Sequence, residues 1–306
     1  MRPNWIAGTA IGAVNAAIIA GNLPHERSLR LRRFWQELSR RVANRPRRSL
    51  GAWAEAAVAC GRSLIRRSAW PAPMLAEPVI GAAELRELIS EAVDFDRVNS
   101  GSARVVLGAM NLTTGAEAFF DNDRHVLGLD HVLASTPLPG LAPVAIDRQL
   151  FGGSAAAISA LDFARPADTL CFAIDGYDLA PGGHGGISRT AREIAAMRRT
   201  QDLRRMIALL GERLPAAAHG DGDIRRCLAE ASDATMTVLH LVHEGNAAEL
   251  GAKRADFSSV SIARRWKAGE SDAATSLAHP RWLAPPSRLS GVVVHVVRGG
   301  LAAPPN

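Results

Sequence analysis

The sequence predicts an α/β protein, and three observations support that prediction. Continuous apolar segments typical of buried strands occur at residues 103–110 and 169–175. A glycine-framed turn at residues 8–12 joins a short apolar stretch to a helix of small residues. From residue 188 onward the pattern changes to long helices, so a mostly helical addition is expected behind the α/β part.

The turn Gly8-Thr-Ala-Ile-Gly12 is the most informative segment. Its glycines are spaced as in a nucleophile elbow, G-x-S-x-G, in which the chain passes from strand to helix so tightly that the middle side chain projects into the active site. Alanine occupies that middle position here, at Ala10. A methyl group cannot attack a carbonyl, so residue 10 supplies no nucleophile.

The remaining elements follow from periodicity, turn residues and helix breakers. The predicted helices cover residues 13–20, 26–42, 84–93, 130–135, 188–214, 223–249 and 259–278. The predicted strands after the turn cover residues 103–110, 117–120, 169–175 and 291–297. Turn residues at 111–115 predict that the first two of these strands form a hairpin, and the alanine and proline tail is expected to be mobile.

Arginine dominates the charge of the chain. The formal net charge is +6, and the first 70 residues hold 13 Arg against 3 Glu. Many of these arginines lie on the predicted amphipathic helix 26–42, which is interpreted as a lid helix with its apolar stripe on the core. The alternative is a peripheral contact with an anionic membrane. Nucleic-acid binding is not expected, because no recognised module accompanies the arginines.

No metal or cofactor site is predicted. Cys60, Cys171 and Cys227 lie far apart without a C-x-x-C pair, which is typical of buried thiols in a reducing compartment. His240 and His243 lack further ligands that the sequence can place, so they are interpreted as structural.

The apolar run 5–21 is shorter than the roughly 20 residues needed to span a bilayer. We therefore expect a cytoplasmic protein, with the surface of the inner membrane as the alternative location.

Several segments, in order, resemble the bacterial patatin-like phospholipase family, in the subgroup that carries a C-terminal domain of unknown function. The segments 7–16, 94–101, 119–122 and 131–147 are similar to its elbow, its middle hairpin and the approach to its catalytic aspartate. Further similar segments are 232–233, 240–243, 256–258, 265–269 and 279–283.

The resemblance implies a three-layer α/β/α fold that hydrolyses acyl esters of lipids with a Ser-Asp dyad and no cofactor. It also implies a glycine-rich loop whose backbone N–H groups bind the oxyanion. The implied domains are a patatin-like domain at residues 1–165, the rest of the sheet with the helical C-terminal domain at 166–290, and a terminal strand with a flexible tail at 291–306.

The sequence departs from the family pattern at each part of that machinery. Ala10 stands at the nucleophile position, and Phe151 precedes the Gly152-Gly153 pair where the catalytic aspartate is expected. The first strand and the oxyanion loop, expected upstream of the elbow, have no counterpart in this sequence. Three alternatives follow: a partner chain covers the open sheet edge, the fold is weakened, or the true start codon lies upstream. Ser154 and Asp147 lie near the Gly-Gly pair without an inferred partner.

The resulting prediction is a phospholipase homologue that binds a lipid or acyl ester and has lost hydrolysis. The alternatives are a non-catalytic lipid- or membrane-binding module and a gene remnant without a selected role.

Overall fold

The computed structural model describes residues 2–44, 79–101, 103–136, 138, 141–153, 167–176, 189–243, 256–278, 280–284, 286–287, 291–298 and 301–302. The chain divides into two compact units, and residues 1–160 with 248–265 form the first. Residues 161–247 with 266–306 form the second. The domain boundary predicted near residue 165 lies outside the described residues, and the predicted domain limits stay predictions.

The described residues of the first unit form five strands and five helices, and part of a further helix, given below, also belongs to it. Its elements in chain order are β1 (Trp5–Thr9), α1 (Ile11–Ala20), α2 (Arg27–Ala43), α3 (Ala82–Ala92), α4 (Phe95–Ser100), β2 (Arg104–Met110), β3 (Glu117–Asp121), α5 (Leu129–Ala134), β4 (Val144–Ile146) and β5 (Gln149–Phe151). Strands β4 and β5 pair separately as a two-stranded antiparallel sheet.

Strand β2 lies at the centre of a three-stranded sheet in the order β1-β2-β3. Strand β1 runs parallel to it, with Gly8 opposite Leu107, and β3 runs antiparallel, with Phe120 opposite the same residue. The hairpin predicted over residues 103–120 is therefore confirmed. Within the described residues β1 pairs only with β2, and the partner chain predicted at this edge stays a prediction.

Two helices cover this sheet through side chains of different size. Helix α1 buries Ala13, Ala16 and Ala17, whose small side chains permit a close approach to the strands. Helix α2 directs Phe34 and Leu38 into the same core. The apolar stripe of the basic helix thus faces the protein interior, in agreement with the lid-helix interpretation.

A buried ion pair joins β2 to the end of β3. The Asp121 carboxylate is fully buried and accepts hydrogen bonds from the Arg104 guanidinium, with Nη2 to Oδ2 at 2.5 Å, and from the Asp123 N–H at 3.0 Å. Burial acts to raise the pKa of Asp121, but these hydrogen bonds outweigh it and hold the pKa below its ordinary value. The Arg104 guanidinium also lies over the Trp5 ring of β1, so this charge pair contacts all three strands.

The second unit has a four-stranded sheet in the order β6-β7-β8-β9. Its elements in chain order are β6 (Thr169–Asp175), α6 (Arg189–Gly211), α7 (Gly222–Leu228), β7 (Met236–Val242), α8 (Ser259–Ala278), β8 (Val292–Arg298) and β9 (Leu301–Ala302). Helix α8 begins within the first unit at Ser259 and ends in the second. Strands β6, β7 and β8 are parallel, and β9 pairs antiparallel with β8.

The prediction of one helix over residues 223–249 is wrong for residues 229–243, and residues 244–249 lie outside the described residues. Residues 222–228 form only the short helix α7, and residues 236–242 form the central strand β7. A continuous apolar run is compatible with a buried helix or a buried strand, and here pairing on both sides to β6 and β8 determines the outcome. The C-terminal region is therefore less helical than predicted.

The remaining fold predictions have mixed outcomes. The α/β class is confirmed, and the three-layer α/β/α arrangement stays a prediction. Cys171 is partly buried, and burial raises the pKa of its thiol to about 11. Cys227 is exposed, contrary to prediction, because α7 is a short surface helix without buried residues. Cys60 lies outside the described residues.

We expect Asp121→Asn to lower the free energy of unfolding at neutral pH by about 3 kcal/mol, because Arg104 loses its buried counter-charge but keeps some solvent contact. A carboxylate with a depressed folded-state pKa stabilises the fold above its ordinary pKa of 3.8, and this contribution is lost as the pH falls below that value. Urea unfolding across this pH range should therefore show the two proteins converging in acid.

The matched control is Asp123→Asn. The Asp123 side chain is 61% exposed and lies 3.2 Å from the same guanidinium, so its removal should cost less than about 1 kcal/mol. Equal losses from the two substitutions would contradict the importance assigned to burial.

Candidate functional site

The turn between β1 and α1 has the backbone geometry of a tight strand-to-helix connection. Strand β1 ends at Thr9 and α1 begins at Ile11, so Ala10 alone makes the connection. Ala10 has φ 51° and ψ −131°, in a region that residues with a side chain rarely adopt. Such a conformation costs about 1–3 kcal/mol and persists only where its surroundings impose it.

Hydrogen bonds with residues just beyond the C-terminal end of helix α5 help to impose this conformation. The Ala10 N–H donates to the Ser135 carbonyl oxygen at 2.7 Å, just beyond the C-terminal end of α5. The Ala10 carbonyl oxygen accepts from the Ala13 N–H at 2.9 Å. It also lies 3.2 Å from the Thr136 hydroxyl, whose one proton is shared with the closer Val132 carbonyl oxygen at 2.7 Å. Both polar backbone groups of the strained residue are thus satisfied. The two contacts with residues 135 and 136 were not predictable from local sequence patterns.

The two glycines of the turn have different roles. A Cβ added at Gly8 would lie 2.6 Å from the Gly12 carbonyl carbon and 2.8 Å from the Ala13 Cα, so the backbones of β1 and α1 touch there. A Cβ added at Gly12 would meet no described atom within 4 Å. Only Gly8 is required by close approach, and the space beside Gly12 is open.

The second predicted segment lies at the carboxyl end of the same central strand. The Gly152 N–H donates to the carbonyl oxygen of Met110, the last residue of β2, at 3.0 Å. Gly153 has φ +89°, and a Cβ there would lie 3.4 Å from the Met110 Cγ. Since Thr9 is paired with Gly108, two residues earlier in β2, the structure brings residues 8–12 and 151–153 to one end of one strand.

Phe151 packs into the hydrophobic core. Its side chain is 6% exposed, and its ring lies edge-to-face on Phe120 with centroids 5.1 Å apart. Phe120 in turn contacts the His131 ring at 4.8 Å. The position at which the family resemblance expects a carboxylate therefore holds part of an aromatic cluster.

His131 is a titratable group that belongs to this cluster and that sequence reasoning did not select. Burial lowers the pKa of its imidazole, and His125 lowers it further by a smaller amount. The negative charges of Asp130 and Asp147 act to raise this pKa but do not outweigh burial. Its Nδ1 accepts a hydrogen bond from the Gly128 N–H at 3.0 Å, which places the ring proton on Nε2 in the neutral form. Asp147 itself lies in the β4–β5 turn with φ 49°.

The described residues contain no group of three or more His, Cys, Asp or Glu side chains able to hold a metal ion. His240 lies on β7 with its Nε2 3.5 Å from the Asp175 carboxylate at the end of β6, and both residues are buried. The His243 N–H donates to the Asp175 carbonyl oxygen at 3.0 Å. The two histidines thus connect adjacent strands of the second unit.

The basic helix α2 exposes a mainly polar surface. Trp35 donates from Nε1 to the Asn15 Oδ1 at 3.0 Å and stacks on Phe257 with ring centroids 6.3 Å apart, so this aromatic side chain is committed to the first unit. On the helix, Glu37 binds both Arg40 and Arg41, and these hydrogen bonds lower the pKa of Glu37 to about 2. Across the described residues, no helix combines the length and the apolar character needed to cross a bilayer.

Comparison with known families supports the predicted ancestry. Residues 187–289 match a family model described as patatin phospholipase. This segment is about a third of the chain, and it confirms the resemblance to the patatin-like family. The matched segment does not include residues 8–12 or 151–153, where the predicted site lies. No curated protein matches the chain.

The contrast between the two glycines can be measured directly. Gly8→Ala should lower the free energy of unfolding by about 3 kcal/mol or more, because the backbones of β1 and α1 must separate. Gly12→Ala should be neutral or stabilising by up to about 1 kcal/mol, because it removes a helix glycine at no steric cost. Thermal and urea unfolding of the pair provide the comparison, and equal losses would contradict the assigned contact.

A second prediction concerns the strain at position 10. Ala10→Gly should raise the free energy of unfolding by about 1 kcal/mol, since glycine adopts a positive φ at no steric cost. Ala10→Val should lower it, because a β-branched side chain tolerates this region least. Urea unfolding of the three proteins should rank them Gly, Ala, Val, and a less stable glycine variant would show that the turn is not strained.

Proposed function

We propose that this chain is a patatin-related homologue of lipid acyl hydrolases that no longer hydrolyses esters. The match to a patatin phospholipase model supports the lipid hydrolase ancestry. The observation that carries the loss of activity is the methyl group of Ala10, placed in a strained turn with the geometry expected for a nucleophile elbow. The turn is interpreted as an elbow that lacks its nucleophile.

The hydroxyl groups around the turn do not replace the missing serine. The Thr9 hydroxyl donates to the Gly108 carbonyl oxygen at 3.3 Å, and the Ser135 hydroxyl donates to the backbone oxygen of His131 at 3.0 Å. The Thr136 hydroxyl lies 2.7 Å from the Val132 carbonyl oxygen. A serine or threonine nucleophile needs a base that accepts its proton, and each of these three hydroxyls is bonded to a carbonyl instead.

The environment of Phe151 argues against a base at that position. A catalytic carboxylate must be charged to accept a proton, and charge is stabilised by solvent, hydrogen-bond donors or a cation. Phe151 packs edge-to-face on the Phe120 ring and is nearly inaccessible to solvent. We infer that the site lost its base through replacement by a core side chain, and that the core has since packed around it.

The size of the expected defect follows from serine hydrolases in general. Removing the nucleophile alone lowers turnover by about a million-fold, and removing further members of the machinery adds little. The activity of this protein toward esters should therefore lie about a million-fold below that of an active serine hydrolase.

Ala10→Ser alone should not restore hydrolysis, because no carboxylate precedes Gly152 to accept the serine proton. The wild type and the variant are compared with a short-chain ester and with a serine-directed fluorophosphonate probe, and neither protein should turn over or be labelled. Serine-dependent turnover in the single variant would show that another group already acts as the base.

Two control variants make a negative result informative. Ala10→Cys, introduced into a variant whose three native cysteines are replaced by serine, tests whether a reagent reaches position 10, because its thiol should react with a maleimide that leaves the cysteine-free parent unlabelled. Ser154→Ala tests a relocated nucleophile: labelling or turnover in the wild type that this substitution abolishes would overturn the proposal.

A further inference from the structure

We propose that the outer face of α6 docks the protein on an anionic lipid bilayer. The contact surface is the apolar patch, defined as Leu203, Met206, Leu209 and Leu210, together with the arginines at its two ends. This inference takes the lipid partner from the proposed function and adds the surface that meets it. It does not depend on whether the protein hydrolyses esters.

The apolar patch is exposed to an extent unusual for large apolar side chains. The exposed fractions are 60% for Leu203, 57% for Met206, 46% for Leu209 and 60% for Leu210. Residues three and four apart share one side of a helix, so the four side chains form one continuous surface. Scattered exposed leucines are normal, but a contiguous patch of this kind marks an interaction site.

The opposite side of α6 makes the contacts that the fold requires. Ile194, Met197, Gln201 and Arg205 are all buried, and Arg205 donates from Nη1 to the Asp233 carbonyl oxygen at 3.1 Å. The apolar patch is therefore not the core-facing stripe of the helix. Its exposure leaves the folded second unit with an apolar surface that its own described residues do not cover.

Arginines lie at both ends of the apolar patch: Arg199 is on the same side of α6 as the patch, and Arg213 lies in the turn two residues beyond the end of the helix. Arg199 and Arg213 are exposed and stand seven residues before and seven residues after Met206. The exposed carboxylates nearby are Asp202 and Glu212, and the whole stretch 189–213 has seven arginines and three carboxylates, a balance of four positive charges (7 − 3). A short apolar surface bordered by cations matches the acyl and phosphate layers of an anionic bilayer.

Charge placement favours a bilayer over a second copy of the chain. In an antiparallel helix pair centred on Met206, Arg199 of one copy would face Arg213 of the other. In a parallel helix pair each arginine would lie beside the same arginine of the other copy. Both arrangements bring like charges together beside an apolar contact, which opposes association. Lipid phosphates instead give each arginine an opposite charge.

The structure favours α6 over the basic helix α2 for this role. The apolar stripe of α2 is buried in the first unit, and its outward surface offers Leu29, 49% exposed, beside Arg32, Arg33 and Arg40. Stable attachment of a surface helix combines apolar insertion with attraction to anionic lipid. Helix α6 offers both contributions on one face, whereas α2 offers mainly charge.

The experiment measures co-sedimentation of the full chain with vesicles of phosphatidylcholine and phosphatidylglycerol, and with pure phosphatidylcholine. The test variant carries Leu203→Gln, Met206→Gln and Leu210→Gln, all at exposed positions where the fold should tolerate them. The wild type should bind the anionic vesicles, and the test variant should bind at least about tenfold more weakly. Circular dichroism and a thermal melt confirm that the variant is folded.

The matched control carries Arg32→Gln and Arg33→Gln on α2, and its vesicle binding should change less than about twofold. The proposal is overturned if the wild type does not bind anionic vesicles or if the α6 variant binds them as well as the wild type does. It is equally overturned if only the α2 control loses vesicle binding. It is also overturned if light scattering shows a dimer that the α6 substitutions dissociate while vesicle binding is absent.

The two proposals fail separately in these assays. Turnover of a soluble ester would overturn the loss of hydrolysis and leave the bilayer surface intact. Absence of vesicle binding would overturn the bilayer surface and leave the assignment of residues 10 and 151 untouched.

Discussion

The contact between the backbones of β1 and α1 at Gly8 is the constraint on which the first unit depends. The absence of a Cβ lets the first turn of α1 lie directly against the strand, and this proximity leaves a single residue to make the connection. Ala10 adopts a positive φ as a result, and helix α5 fixes it from the other side. The positions of β1, α1 and α5 are thus coupled through one residue.

The sequence predicted this turn because glycine spacing is a local signal. Gly8 and Gly12 have the spacing of the G-x-S-x-G pattern, and the turn residues at 111–115 predict the hairpin over residues 103–120. The strand at residues 236–242 was not predictable in the same way. Its apolar side chains fit either type of element, and the partners that decide between them, β6 and β8, come from segments distant in the sequence.

In the candidate site too, local features were predictable from the sequence and long-range contacts were not. Ala10 and Phe151 were selected from their neighbours in sequence, and the structure places both segments at the carboxyl end of β2. The contacts of Ser135 and Thr136 with Ala10 could not be foreseen, because they involve a backbone carbonyl and a side-chain hydroxyl from 125 and 126 positions away. Likewise, two arginine-rich helices look alike in sequence, but burial of an apolar face distinguishes α2 from α6.

The turn at residue 10 has a consequence beyond its ancestry. Its conformation is held by backbone hydrogen bonds and by the Gly8 contact, neither of which involves the Ala10 side chain. Under the proposed function, the nucleophile is absent while the backbone conformation that would present it is retained. Position 10 is therefore suited to the attachment of a reporter group or a reactive side chain. The backbone alone would hold such a group in a defined direction.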